Sequence, residues 1–465
     1  TAPMGSFPLL FAGALVFVVG ILRPAPIHAT PAATSEPTDS LPADSYLTLV
    51  IGAPEARRQA LAQIDSQWQP YATALLLETM RLARDPRLPG QIVKLLEKHT
   101  AQNFGFEVEA WWQWVWTHKT ELPPAYAQMK SRLYSVIDHR FRRYFNARWL
   151  PSARIRLDEV RWGGVEQDGI PPLRDPSMTT AADANRWLDE EDVVFGLVHN
   201  GEARAYPQRI LAWHELFTDT IAEEPIAGVY CTLCGTMIVY GTRVDSVGHL
   251  LGTSGFLFRL NKLMYDAQTQ SLWSTLWGEP VFGPLADSGI RLPRYPVVTT
   301  TWSAWRERHP QTQVLSLQTG HSRDYGEGVA YREYFDTEDL MFQIPQHDKR
   351  LRNKDEILGL LSADGQPLAI ADRYLRKNPV LHEHLGQMPI VIVTDASGAH
   401  RVYAAGATTF DRLDEDRLLD TDGRAWRLEE DALYLKGEEP LPRLPAHRAF
   451  WFGWYSAFAH TRLVH

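Results

Sequence analysis

The hydrophobic period of this chain changes once, near residue 150, and that change limits the fold more than any other feature. Before it, apolar residues recur at helical spacing. In "RRQALAQIDSQWQPYATALLLETMRLARD", Leu61, Ile64, Trp68 and the run from Ala72 to Leu77 share a face. "QIVKLLEKHT" and "PAYAQMKSRLYSVIDHRFRRYF" repeat the pattern, the latter with Tyr126, Met129, Leu133, Ile137 and Phe141 on one stripe. Between them "EVEAWWQWVWTHK" sets four Trp within six residues, which reads as core between helices. From "RWGGVEQDGIPPLRDP" onward, Gly and Pro punctuate the chain and short alternating segments replace the helical period. Val193 to Val198, Ile226 to Tyr230, Met237 to Tyr240 and Tyr295 to Thr300 read as strands. The expectation is an α+β protein: an all-α helical layer over 46–150, followed by a β-rich body over 151–465.

The N-terminus reads differently from both. Phe7 to Leu22 is an unbroken apolar run that ends at Arg23 and Pro24, with small residues near Ala29. That is the pattern of a secretory signal over 1–29, although no Lys or Arg precedes the run. An uncleaved membrane anchor is the alternative, and either reading exports the remainder to the periplasm or the cell exterior. Pro, Ala, Thr and Ser over 30–45 suit a flexible tether. The net charge of -9, with no Lys/Arg run, argues against a nucleic-acid partner.

Within the β-rich body a repeat is visible. "VFGLVHNGEARAYPQRIL" from 194 and "ILGLLSADGQPLAIADRYL" from 357 share apolar-Gly-Leu, a polar turn and an Ala-containing strand. About thirty residues later come "EPIAGVYCTLCG" and "MPIVIVTDASG", in which Cys231 faces Asp395 and Gly235 faces Gly398 after one residue of slippage. Two related lobes are expected, over about 177–345 and 350–465, with cysteines only in the first.

The segments "NGEARAYPQRILAWHE", "VYCTLCGTMIVY", "LGTSGFL", "NKLMYDAQTQSLWSTLWGEPVFGPL" and "TTTWSAWRERHPQTQVLSLQTGHSRDYG" resemble the bacterial and archaeal family catalogued as domain of unknown function 3179. The likeness runs from about Arg161 to the C-terminus. It implies an exported, cysteine-paired, β-rich domain and supplies no substrate.

Cys231 and Cys234 are the only cysteines in 465 residues. On an unbroken strand, residues three apart point to opposite faces and lie about 10 Å apart, too far to share a bond or a metal. Gly235 after the second cysteine suggests instead a tight knuckle over 231–235 between strands 226–230 and 237–240. Three readings stay open. In the first, the knuckle binds a transition metal for redox chemistry or metal handling. His214 in "ILAWHELF" is then the leading third ligand, Met237 and Asp266 are weaker ones, and His249, His321 and Asp324 weaker still. Cys, Cys, His and Met suit copper best, with zinc and iron open. In the second, the cysteines form a thiol–disulfide oxidoreductase with Cys231 as the more exposed thiol. In the third, they are structural in an envelope scaffold. The loop "HSRDYGEG" offers His321, Arg323 and Asp324 for acid–base work or for gripping an anionic ligand, with Arg204 and Tyr206 as further weak catalytic candidates. The partner is an unidentified small molecule or envelope protein.

Overall fold

The computed structural model describes residues 44–465. The signal or anchor assigned to 1–29, and nearly all of the tether assigned to 30–45, lie outside these residues. Among the described residues no helix is long and apolar enough to cross a membrane. Six α-helices come first: Asp44–Ile51, Pro54–Ser66, Ala72–Leu82, Leu88–Thr100, Val108–His118 and Pro124–Tyr134. Three of them carry Pro in the first turn, where its missing N–H costs nothing.

Trp111, Trp112 and Trp116 are buried between helices, as the sequence suggests. The stripe from Tyr126 does not continue to Phe141 as one helix. It stops at Tyr134, because the Asp138 carboxylate accepts the N–H groups of Arg140 and Gln167 and so starts a separate 3₁₀ turn over His139–Arg143. The helices do not close a core alone. Their apolar faces share one with Phe256, Phe258, Leu263, Tyr265, Leu272, Val281 and Phe282 of the sheet beneath. Lys130, buried and paired with Glu78, also donates to the carbonyl of Val160 in the first strand of that sheet at 2.6 Å.

The body is built from one unit used twice. The first unit runs strand Val193–His199, strand Glu202–Pro207, helix Gln208–His214, then strands Leu216–Ile221, Glu224–Cys231 and Thr236–Gly241. The second repeats that order as Glu356–Leu361, Pro367–Ala371, helix Asp372–Lys377, Val380–Leu385, Met388–Thr394 and His400–Ala404. Each is closed the same way. Strand Val298–Thr301 pairs antiparallel with Val193–His199, helix Trp302–Arg308 follows, and Gln313–Leu315 pairs parallel with Glu202–Pro207. In the second unit the same parts are played by His447–Phe450, helix Trp451–Ala457 and Arg462–Val464. Trp451, Phe452, Trp454 and Tyr455 of the latter helix are buried, so it is docked into the core.

Both closures rest on one contact. A Cβ at Gly196 would overlap the ring of Trp305, and a Cβ at Gly359 would overlap the ring of Trp454. Each indole N–H is then taken by a Thr hydroxyl, Thr312 at 3.0 Å and Thr461 at 2.9 Å. Replacing Gly196 or Gly359 by Ala is expected to cost about 1–3 kcal/mol through overpacking. The drop should appear in the urea midpoint, and an unchanged midpoint would show that the indole shifts aside freely.

Candidate functional site

Cys231 is the last residue of its strand and stands opposite Thr236 in the antiparallel ladder. The chain reverses through Thr232–Gly235, with Gly235 at φ 58° and its N–H on the carbonyl of Thr232. This is the tight turn expected from the sequence, with the strands slightly longer than expected. Within it Cys231 and Cys234 are joined by a disulfide across a Cα–Cα distance of 5.5 Å. The cysteines are 1% and 0% exposed, so the bond is enclosed on all sides.

Two elements from elsewhere in the chain enclose it. From the second unit, the Phe450 N–H donates to the carbonyl of Cys234 at 2.8 Å. The Phe450 ring lies over Gly235, and Gly453 packs directly on Cys234. From the connecting segment, the short helix Arg332–Phe335 sets the Tyr334 hydroxyl on the carbonyl of Leu233 at 2.9 Å. Lys354 holds that tyrosine, with its ammonium 3.5 Å from the ring centroid and bonded to the Tyr334 carbonyl.

A buried charge pair borders the turn. Glu215 follows the helix Gln208–His214 in the left-handed region at φ 58°, a position that favours Gly. One oxygen of its carboxylate accepts the Thr232 hydroxyl at 2.8 Å and the Tyr331 hydroxyl at 3.1 Å. The other meets the ammonium of Lys262. Lys262 stands opposite Leu257 on the neighbouring strand, and Leu257 belongs to the same buried cluster as both cysteines. Burial pulls its ammonium down to about 7, against the opposing pull of Asp168.

His214 stands one residue before Glu215 but turns elsewhere. Its Nδ1 lies 2.8 Å from the carbonyl oxygen of Pro171, so Nδ1 carries the proton and donates. Nε2 then accepts from the Tyr325 hydroxyl at 2.6 Å. Burial pulls the imidazole down to about 4, leaving it neutral at physiological pH. The loop carrying His321, Arg323 and Asp324 docks on the same helix end. The His321 ring centre is 5.1 Å from that of His214, Arg323 lies over Trp213, and the Asp324 carbonyl accepts the Trp213 indole at 2.8 Å. These four candidates are therefore neighbours.

The other candidates serve the packing. Arg204 and Tyr206 both bond to the Asp219 carboxylate, and Tyr206 stacks on Phe217. Met237 packs with Phe217 and Tyr230 in a different cluster from the cysteines. Asp266 organises its own turn by accepting the N–H and hydroxyl of Thr269 and the indole of Trp273. His249 lies against Trp273. Among the described residues no three His, Cys, Asp or Glu side chains converge to hold a metal ion. In this structure both sulfurs are joined in a disulfide and both His214 nitrogens are hydrogen-bonded, to Pro171 and Tyr325.

Sequence reasoning passed over Glu215 and Lys262. The available signal was a Lys directly before the apolar residues of "NKLMY" and an acid placed where a helix ends.

The fold and the turn thus define a duplicated β-rich protein under a helical layer, with a buried Cys-x-x-Cys disulfide in the first copy. The chain belongs to the family described as protein of unknown function (DUF3179), which matches residues 167–461 and so spans both copies. No curated protein and no solved structure matches the chain.

The lowered His214 value has a thermodynamic consequence. Between about pH 6.5, the ordinary value, and about pH 4 the unfolded chain binds a proton that the folded chain does not. Stability contributed above that window is lost as pH falls through it. A His214→Gln variant is expected to show a flatter dependence of urea midpoint on pH over this range; a slope equal to that of the parent would refute the assignment.

Proposed function

We propose that this chain is an exported thiol–disulfide redox protein that exchanges electrons with a dithiol or disulfide partner through Cys231 and Cys234. One observation supports this best: the disulfide closes a turn that needs no staple. The ladder from Ile226–Gly241 to Cys231–Thr236 already sets the two strands in register. Closing so short a loop contributes only about 2 kcal/mol by chain entropy. Two cysteines in the whole chain, placed together and bordered by a buried Lys–Glu pair, fit a chemical role better than a mechanical one. The secretory pattern at the N-terminus agrees with it, because exported compartments keep disulfides formed.

In the reaction a partner thiolate attacks Sγ of Cys231, the Cys231–Cys234 bond breaks, and Cys234 leaves as a thiolate that takes up a proton. The partner's second thiol then attacks the mixed disulfide. The partner departs as a disulfide and both cysteines as thiols, with two electrons and two protons transferred. Because both cysteines are buried, part of the cover must move aside before attack, and the short Arg332–Phe335 helix, held on the turn by the Tyr334–Leu233 bond, is the element proposed to do so.

The test is equilibration of the folded protein in glutathione buffers, with free thiols counted by alkylation. Reversible conversion between zero and two free thiols is expected, with Cys231→Ser/Cys234→Ser folded but inert. A disulfide that yields only when the protein unfolds would leave a structural staple. Stoichiometric metal on the reduced protein, lost in Cys231→Ser, would return the metal reading. Removing the cover should also tell: Tyr334→Ala is expected to raise the rate of reduction by dithiothreitol several-fold, and an unchanged rate would show that access runs elsewhere.

A further inference from the structure

Asn261 lies beside the disulfide on a path that no part of the exchange described above uses. It is 3% exposed, and its Nδ2 donates twice, to the Gly453 carbonyl at 3.1 Å and to the Ser456 hydroxyl at 3.0 Å. Those two bonds fix the amide, since turning it over would set Oδ1 against the Gly453 carbonyl oxygen. Its Oδ1 is left buried with no donor among the described residues. A buried amide oxygen without a partner costs free energy, so such atoms are rare without a reason.

The reason lies across Gly453. An idealised Cβ on that glycine would stand 2.6 Å from Cys234 Cβ and 3.4 Å from Asn261 Oδ1. The free oxygen and the second cysteine therefore flank the same glycine, and the absent side chain leaves the way between them open. In the disulfide state Cys234 has no hydrogen to give. Once reduced, it has an S–H to give, on the side of a glycine whose other neighbour is an acceptor without a donor among the described residues.

Resting on the redox reading above, we infer that Asn261 is a positioning residue for the reduced state, its Oδ1 accepting the S–H of Cys234. Two consequences follow from the chemistry. The unpartnered oxygen penalises the disulfide form and is relieved in the dithiol form, so Asn261 makes the cysteines a stronger oxidant. The bond also favours the neutral thiol at Cys234 over its thiolate. The first proton lost from the dithiol is then that of Cys231, which becomes the nucleophile. When a partner dithiol reduces the protein, one of its two protons ends on Cys234, directed at Asn261, and the other on Cys231.

Two measurements separate this inference from the reading it rests on. In a Cys231→Ala variant Cys234 is the sole thiol, and its infrared S–H stretch should lie at the lowered frequency of a hydrogen-bonded thiol. The shift should vanish in Cys231→Ala/Asn261→Leu. In glutathione buffer, Asn261→Leu with both cysteines intact should move the equilibrium three- to tenfold toward the disulfide, on the order of one ordinary hydrogen bond. An S–H band at the free-thiol frequency in Cys231→Ala overturns the inference whether or not the Asn261 variants fold. An equilibrium unmoved by Asn261→Leu does so as well. A shifted band in a protein whose disulfide glutathione cannot reduce would support the contact and sink the redox reading alone.

Discussion

The Trp454 indole lies against the strand Glu356–Leu361 where Gly359 offers no side chain, and the candidate site depends on that contact. The helix it anchors, Trp451–Ala457, closes the second copy of the repeated unit. The same helix also serves the first copy: Gly453 packs on Cys234, and Phe450, just before the helix, bonds the Cys234 carbonyl. The equivalent contact in the first copy, Trp305 on Gly196, closes that copy without touching a cysteine turn. Duplication has thus produced two similar closures, of which one also walls a disulfide.

The two copies differ where the chemistry differs. At the turn that holds Cys231 in the first copy, the second has Asp395. Its carboxylate accepts the N–H groups of Ser397 and Ala399 and pairs with Arg401. A hydrogen-bonded Asp turn and a disulfide turn thus occupy equivalent ladder ends. The Asp version is held by charge and hydrogen bonds alone, which shows that the fold does not need a covalent bond at this place. Arg401 in turn meets Glu430, which also pairs with Arg443, and that buried network ties the turn to the strand Leu441–Leu444.

Around the first turn the protein buries charge. Glu215 and Lys262 are both nearly inaccessible, and burying such a pair gains little over apolar packing unless further hydrogen bonds are made. Here the carboxylate also takes two hydroxyls, Thr232 from the turn and Tyr331 from the covering segment. One carboxylate therefore joins the helix end, the disulfide turn, the cover and the neighbouring sheet. Movement of any of the four changes its bonding.

The change of period near residue 150, most of the strand segments and the repeated Gly were legible in the sequence because each follows from local spacing, although the strand expected over Tyr295 to Thr300 divides into Arg294–Tyr295 and Val298–Thr301 in two different sheets. The helical layer, the β-rich body and the two related copies are all present, and the cysteines sit in the tight turn that Gly235 announces. Placement of side chains was not legible. His214 is adjacent to Glu215 in sequence, but the left-handed residue at the helix end sends consecutive side chains in different directions. The imidazole goes to Pro171 and Tyr325, and the carboxylate goes to the cysteine turn. Lys262, Asn261, Tyr334 and Gly453 come to the disulfide turn from 27 to 219 residues beyond Cys234, through strand register and helix docking. The sequence by itself determined the elements, because periodicity and turn chemistry are properties of neighbouring residues. Only the tertiary structure decided what surrounds the cysteines, because burial and hydrogen bonding there depend on segments that meet only when the two copies pack together.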